Sequence, residues 1–374
     1  MSYFLLGGGV TEFIELTDTP AAYAGQALKG ARVNTGETAL EFATLSGQEL
    51  LITPDYVFYN GAVPGAWTDL QLSTADGNIT TQVLALIKIH ADNAAQMGYC
   101  FRMNGETKEG NYDVGPAHGR TLLNRDVAYV LVPSDANGLL EWRGSLSASP
   151  NTTLTLMAYW EGLNFPEQEL HTGALANVWH TLDLGTGPCF AYFRYTNNTG
   201  SARALIMRRS GHTEGYVATP DSGKCSGLGQ MYGAANSIGY GCIPTDANGK
   251  IDWGTSVLGM ICDFDIICYI KSWVPKQLTV FDGTPPLANT FYDLDLPLGR
   301  SIAVVHNVYD VTYPAKNKYI KEHGEGDDSY LFGISGVQSY TGYAMMRVGS
   351  AGIVERAVEI ATRQKITLEG SFAL

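Results

Sequence analysis

One long pattern recurs three times along the chain, and that recurrence limits its fold more than any other feature. DANGLLEW at 135–142 returns as DANGKIDW at 246–253, so that Gly138 and Gly249 stand 111 positions apart. Upstream, AWTDLQL opens on Trp67 and VWHTLDL opens on Trp179, 112 positions later, and a further 112 positions reach Phe291 in TFYDLDL. A worn third turn, GSAGIVER, occupies 349–356, with Gly352 in the place of the two earlier glycines and Ile353-Val354-Glu355 in that of Leu139-Leu140-Glu141. Gly352 follows Gly249 by 103 positions, which makes the third copy shorter by about one hairpin.

Within each copy the hydrophobic period is two. TLTLMAY, VLALIKIH, CFAYFRY and QKITLEG alternate or run apolar over a few residues, with Gly, Asn, Asp and Pro between them. Only 352–365, with Val354, Val358 and Ala361 on one face, has a helical pattern, and its alignment with strand segments of the earlier copies argues against a helix. Copies of this size holding seven or eight short strands predict an all-β chain of three tandem β-sandwich (jelly-roll-like) repeats at 61–165, 166–280 and 281–374. Prolines 166, 275, 285 and 286 mark the expected linkers. Residues 1–60 differ. They are small, polar and turn-rich, with too few large apolar side chains for a core of their own, and so predict a segment that needs a partner surface.

Composition narrows the function. The 374 residues carry 43 Gly and 21 Tyr, only 16% are charged, and the net charge is −13 with a pI near 4.9. That balance repels phosphates and argues against nucleic-acid binding; the densest basic run, RALIMRR at 203–209, is interrupted by apolar residues. No apolar run of about 18 residues exists, so no membrane span is expected. MSYFLLGGGV lacks the basic and apolar regions of a signal peptide, which points to a reducing compartment. Of six cysteines, none forms a C-x-x-C and none has a histidine at ligand spacing, so neither a metal nor a cofactor is expected. Cys262 and Cys268, in MICDFDIICYI, read as buried thiols; Cys225 and Cys242 flank a glycine-rich loop, and whether they pair stays open.

The chemical motifs are sparse. D-x-N-G begins like a calcium loop but lacks the later ligands, and Asn-Gly between apolar strands is a strong hairpin signal. Trp142 and Trp253 would then be core residues, while Arg356 in the third copy implies an exposed slot. Asp263/Asp265 and Asp293/Asp295 are i, i+2 pairs sharing a strand face, as a glycosidase or a solvated face would have them; Asp295 aligns with Asp183 and Gln71, which favours the solvated face. There is no G-x-S-x-G elbow and no H-E-x-x-H, and no catalytic residue is assigned. Three loops at 111–120, 227–241 and 316–330 are the candidate contact surfaces, with Tyr112, His118 and Arg120, then Tyr232, Asn236 and Tyr240, then Lys318, Tyr319 and Asp327.

The N-terminal stretch FIELTDTPAAYAGQALKGARVNTGETALEF, at 13–42, is similar to a module of tailed-bacteriophage virion proteins. The matching positions are Phe13, Leu16, Thr17, Asp18, Thr19, Pro20, Tyr23, Gly25, Gln26, Val33, Asn34, Glu37, Leu40, Glu41 and Phe42. The resemblance covers about 30 residues and implies attachment and homotrimerisation, with other virion proteins of the portal, neck, capsid or tail as partners. It implies a non-enzymatic fibre or spike on the virion surface, assembled in the host cytoplasm and displaying its repeats to a host glycan or protein. Two other roles stay open: a capsid decoration protein, and a capsule or lipopolysaccharide depolymerase acting through Asp263/Asp265.

Overall fold

The computed structural model describes residues 29–33, 40–44, 49–92, 97–107, 109–110, 120–121, 127–144, 151–201, 203–213, 220, 225–227, 230–233, 237–255, 258–284, 286–287, 290–298, 301–309, 318–323, 341–358 and 364–373. They fall into two compact units, Met1–Gly47 and Gln48–Leu374. In the first, β1 (Lys29–Val33) and β2 (Leu40–Thr44) pair antiparallel, with Val33 opposite Leu40 and Ala31 opposite Phe42.

The second unit is all-β, interrupted among the described residues by one 3-10 turn at Leu72–Thr74. Its first stretch holds β3 (Glu49–Ala62), β4 (Thr68–Gln71), β5 (Leu84–Asp92), β6 (Met97–Met103), β7 (Glu109–Gly110), β8 (Arg120–Thr121), β9 (Val127–Pro133), β10 (Leu139–Gly144) and β11 (Asn151–Glu161). The second holds β12 (Gln168–Leu175), β13 (His180–Asp183), β14 (Phe190–Asn197), β15 (Arg203–Arg209), β16 (Cys225–Gly227), β17 (Gln230–Gly233), β18 (Ser237–Pro244), β19 (Lys250–Thr255) and β20 (Met260–Ile270). The third holds β21 (Trp273–Gly283), β22 (Tyr292–Asp295), β23 (Ser301–Tyr309), β24 (Lys318–Glu322), β25 (Thr341–Val348), β26 (Ile353–Val358) and β27 (Gln364–Ala373). The helix-like pattern at 352–365 is thus strand on both sides of the undescribed 359–363.

The repeat is visible in the pairing. One sheet of each stretch runs β3-β11-β5-β9, then β12-β20-β14-β18, then β21-β27-β23-β25; the other runs β4-β10-β6-β8, then β13-β19-β15-β17, then β22-β26-β24. The turn glycines hold equivalent places. Gly138, Gly249 and Gly352 have φ of 73°, 80° and 74°, a region costly for any residue with a Cβ. Their carbonyls accept from Leu72, Leu184 and Leu296 at 3.1, 3.1 and 2.8 Å. In the first two turns Asp135 and Asp246 close the loop by accepting two backbone N–H groups each at 2.8 Å, the Asx-turn device. Burial works against the charge on Asp135, but hydrogen bonds from Asn104, Leu139 and Asn137 outweigh it and hold the carboxyl below the usual aspartate range.

In each stretch the two sheets face one another across apolar side chains. Trp142 meets Tyr59 of the opposite sheet with ring centroids 4.7 Å apart, and Trp253 meets Phe264 at the same distance. The third stretch has Arg356 in that slot, and here the expectation of an exposed position fails. Arg356 is 5% exposed, its guanidinium lies 3.4 Å from the Phe281 ring centroid, and its Nη1 donates to Gln364 Oε1. A planar cation stacked on a ring and bonded at its edge tolerates burial where a lone ammonium would not.

The expected three self-contained tandem sandwich repeats are not what forms. The stretches are fused in two ways. First, strands cross between them: β7 of the first pairs parallel with β18 of the second, and β16 of the second pairs parallel with β25 of the third. Second, one apolar cluster runs through all three. Leu84, Phe190 and Ile302 sit at equivalent points of β5, β14 and β23, opposite Trp160, Ile270 and Phe372, and all six are fully buried in that cluster. Phe372 lies 5.2 Å from Trp160, 5.4 Å from Phe190 and 5.1 Å from Trp273, ring centroid to centroid. The back of each inner sheet is therefore as apolar as its front, as a strand buried on both faces requires. Position 60/61 lies inside β3, which pairs along β11 from Ala62 to Glu49.

Candidate functional site

Among the described residues of the second unit, ion-paired and metal-type side chains recur in two equivalent places. The first is a row on the outer sheets. Glu141 of β10 lies opposite Arg102 of β6, and Asp252 of β19 opposite Arg208 of β15, with N–O distances of 2.8 and 3.1 Å. Each arginine also covers the aromatic that opens its copy, Arg102 at 3.9 Å over Trp67 and Arg208 at 4.1 Å over Trp179. The third copy keeps the carboxylate as Glu355, with Lys321 at the cross-strand position; His323 Nδ1 lies 3.9 Å from Glu355 and 3.4 Å from Asp293. Sequence reasoning missed this row because its partners lie about 40 positions apart in each copy, visible only once the copies are overlaid.

The second place is the seam between stretches. At the first seam Arg194 of β14 reaches back to Glu106 at 2.9 Å and sideways to Asp265 at 3.0 Å. At the second seam the equivalent positions are His212, in the turn after β15, and His306 of β23. The correspondence is direct. Glu106 N donates to Met103 O and His212 N to Arg209 O in matching turns, with Gly105 and Gly211 at φ of 84° and 73°. Arg194 lies opposite Tyr240, and His306 opposite Tyr343.

These contacts revise several expectations. Asp263 and Asp265 are not a solvated pair: Asp265 is 7% exposed against Arg194, while Asp263 accepts from Thr172 Oγ1 at 2.7 Å and Asn198 Nδ2 at 2.9 Å. Tyr240 is not on a loop surface but is 3% exposed in β18, stacked on Tyr192 at 5.7 Å; burial pushes its hydroxyl well above the ordinary range. The 227–241 segment contains β17 and part of β18 rather than one long loop. Cys242 is a buried free thiol, while the side chain of Cys225 lies outside the described residues; Cys262 and Cys268 are buried thiols as expected.

Of the remaining candidate contact residues, Tyr232 belongs to β17, Arg120 to β8, and Lys318 and Tyr319 to β24, where they lie opposite Val358 and Ala357. Tyr112, His118, Asn236 and Asp327 lie outside the described residues. Of the N-terminal motif, Val33 ends β1, and Leu40 and Phe42 lie in β2; Phe13, Leu16, Thr17, Asp18, Pro20, Tyr23, Gly25, Gln26 and Asn34 lie outside them.

No protein-family model matches the chain, and no curated protein matches it. Among solved structures it is similar to a chain from the X-ray structure of the entire lipid-containing bacteriophage PM2, at 11% identity over 84% of this chain and 87% of that one, with a TM-score of 0.14. At that score the likeness carries no argument.

Proposed function

We propose that this protein is a non-enzymatic structural component of a bacteriophage virion, a fibre or spike whose N-terminal unit attaches it to the particle and whose β-rich body faces the host. What supports this reading is the sequence resemblance of 13–42 to a phage virion module, which falls in the first of the two units, Met1–Gly47. A segment thin in apolar residues gains its stability from what it docks on. A strand-built body with buried aromatic clusters and an ion-paired seam suits exposure outside a cell. The partner of the N-terminal unit is another virion protein, and the motif suggests that the chain works as a homotrimer. The partner of the body is a host-surface glycan or protein, met by loops between strands.

Deletion of residues 1–47 tests the reading. The remaining Gln48–Leu374 should keep its β-sheet circular dichroism and cooperative unfolding, yet fail to enter particles assembled without the full-length chain. A truncated chain that still co-purifies with particles in normal amount would refute attachment through the N-terminal unit.

A further inference from the structure

At the second seam His212 and His306 stand where Glu106 and Arg194 stand at the first, and a third metal-type donor, Glu369, joins them. His212, His306 and Glu369 each present one ligand atom, and the three atoms lie within 4.8 Å of one another. Their chain positions come from three different elements. His212 sits in the turn that follows β15, His306 in the middle of β23, and Glu369 in β27. Glu369 is the extra residue of a β-bulge, since Val304 pairs with Gly370 and Val305 with Leu368. The other two copies have the same bulge. Met157 is the extra residue between Leu156 and Ala158, and Ile267 that between Ile266 and Cys268. Both point into the shared apolar cluster and are at most 1% exposed. The third copy alone puts a carboxylate in this slot, where it is 1% exposed. Bulges re-aim side chains at functional positions, and a buried carboxylate in place of an aliphatic side chain costs free energy unless something positive meets it.

Arg209 Nε lies 3.5 Å from Glu369 Oε2. His306 is fully buried, its Nε2 against Thr341 Oγ1, and His212 Nδ1 lies 3.1 Å from Tyr343 Oη. The two imidazoles meet edge to face at 4.5 Å.

We propose that His212, His306 and Glu369 form a binding site for one divalent transition-metal ion, zinc above all, which ties the second stretch of the body to the third. Two imidazoles and a carboxylate suit zinc and its first-row neighbours rather than calcium or magnesium, which take all-oxygen sites. The hydroxyls of Tyr343 and Thr341 steady the rings, the supporting role that usually falls to groups around a metal site. The first seam, closed by Glu106, Arg194 and Asp265, needs no ion.

The test uses the full chain, stripped with chelator and titrated with Co²⁺, then with Zn²⁺. The expected result is one equivalent bound, a visible d–d absorption band that Zn²⁺ abolishes, and a raised melting temperature in either metal. Glu369→Gln and His212→Asn should each weaken binding by more than about 100-fold, since even supporting residues around a metal cost about 10–100-fold. His323→Ala, in the separate Asp293–His323–Glu355 group, should leave binding unchanged. Should Glu369→Gln not fold, His212→Asn decides, because His212 is only half-buried in a turn. Absence of a band and of a melting shift in the parent chain would overturn the proposal, as would binding that survives His212→Asn or disappears in His323→Ala.

Discussion

Replacing Phe372 by alanine lowers the stability of the whole second unit, by about 3–5 kcal/mol, the range for removing a buried aromatic. Phe372 lies next to the end of the last strand of the third stretch, yet its ring meets Trp160 from the first, Phe190 from the second, and Trp273 at the start of the third. Such pairings add about 0.5–1.5 kcal/mol beyond area burial. The cavity would open where all three stretches meet, so the loss should appear as one shifted denaturation transition reported alike by tryptophan fluorescence and by circular dichroism. If only the signal of the third stretch moved while the rest unfolded as in the parent, the fused core would be disproved and the stretches would be independent after all.

Arg194→Met carries the second large effect. The guanidinium is about four-fifths buried and holds two carboxylates, Glu106 across the seam and Asp265 on the neighbouring strand. Removing it takes the cation from two carboxylates that are each only about a tenth exposed, and breaking a buried pair from one side costs about 3–5 kcal/mol. A value near 3 kcal/mol is expected, because Arg194 retains some contact with water. Much of that loss comes from the stranded charges. Adding Glu106→Gln and Asp265→Asn to Arg194→Met should therefore recover more than half of it in urea denaturation. No recovery would mean that the arginine acts through packing and not through charge.

How far the sequence reveals this molecule follows from the range of each interaction. Turn chemistry is local, so the glycines at 138, 249 and 352 and their flanking strands announce the repeat, and the all-β class follows from period-two patterning. The strands that fuse the stretches leave no such mark. Glu109–Gly110 and Cys225–Gly227 are too short for periodicity, and they pair with residues more than 100 positions away. Tyr240 looks like a loop residue because glycines surround it, but those glycines lie in β18, where Gly239 and Gly241 pair with Tyr195 and Phe193. Arg356 and Asp265 look solvated because a charge in an alternating strand usually is; their burial depends on Phe281 and Arg194, each supplied by a distant strand. His212, His306 and Glu369 have no motif spacing. Their signal is comparative: Glu369 stands where the sister copies have Met157 and Ile267. The N-terminal motif, by contrast, is continuous and legible, and the proposed role rests on it.

The most direct measurement is to locate the chain on purified particles by electron microscopy, with one label at its N-terminus and another at its C-terminus. The proposed role predicts that the chain is present, with the N-terminal label at the particle surface and the C-terminal label farther out. Particles that lack the chain, or that carry it with the N-terminal label outermost, would contradict it.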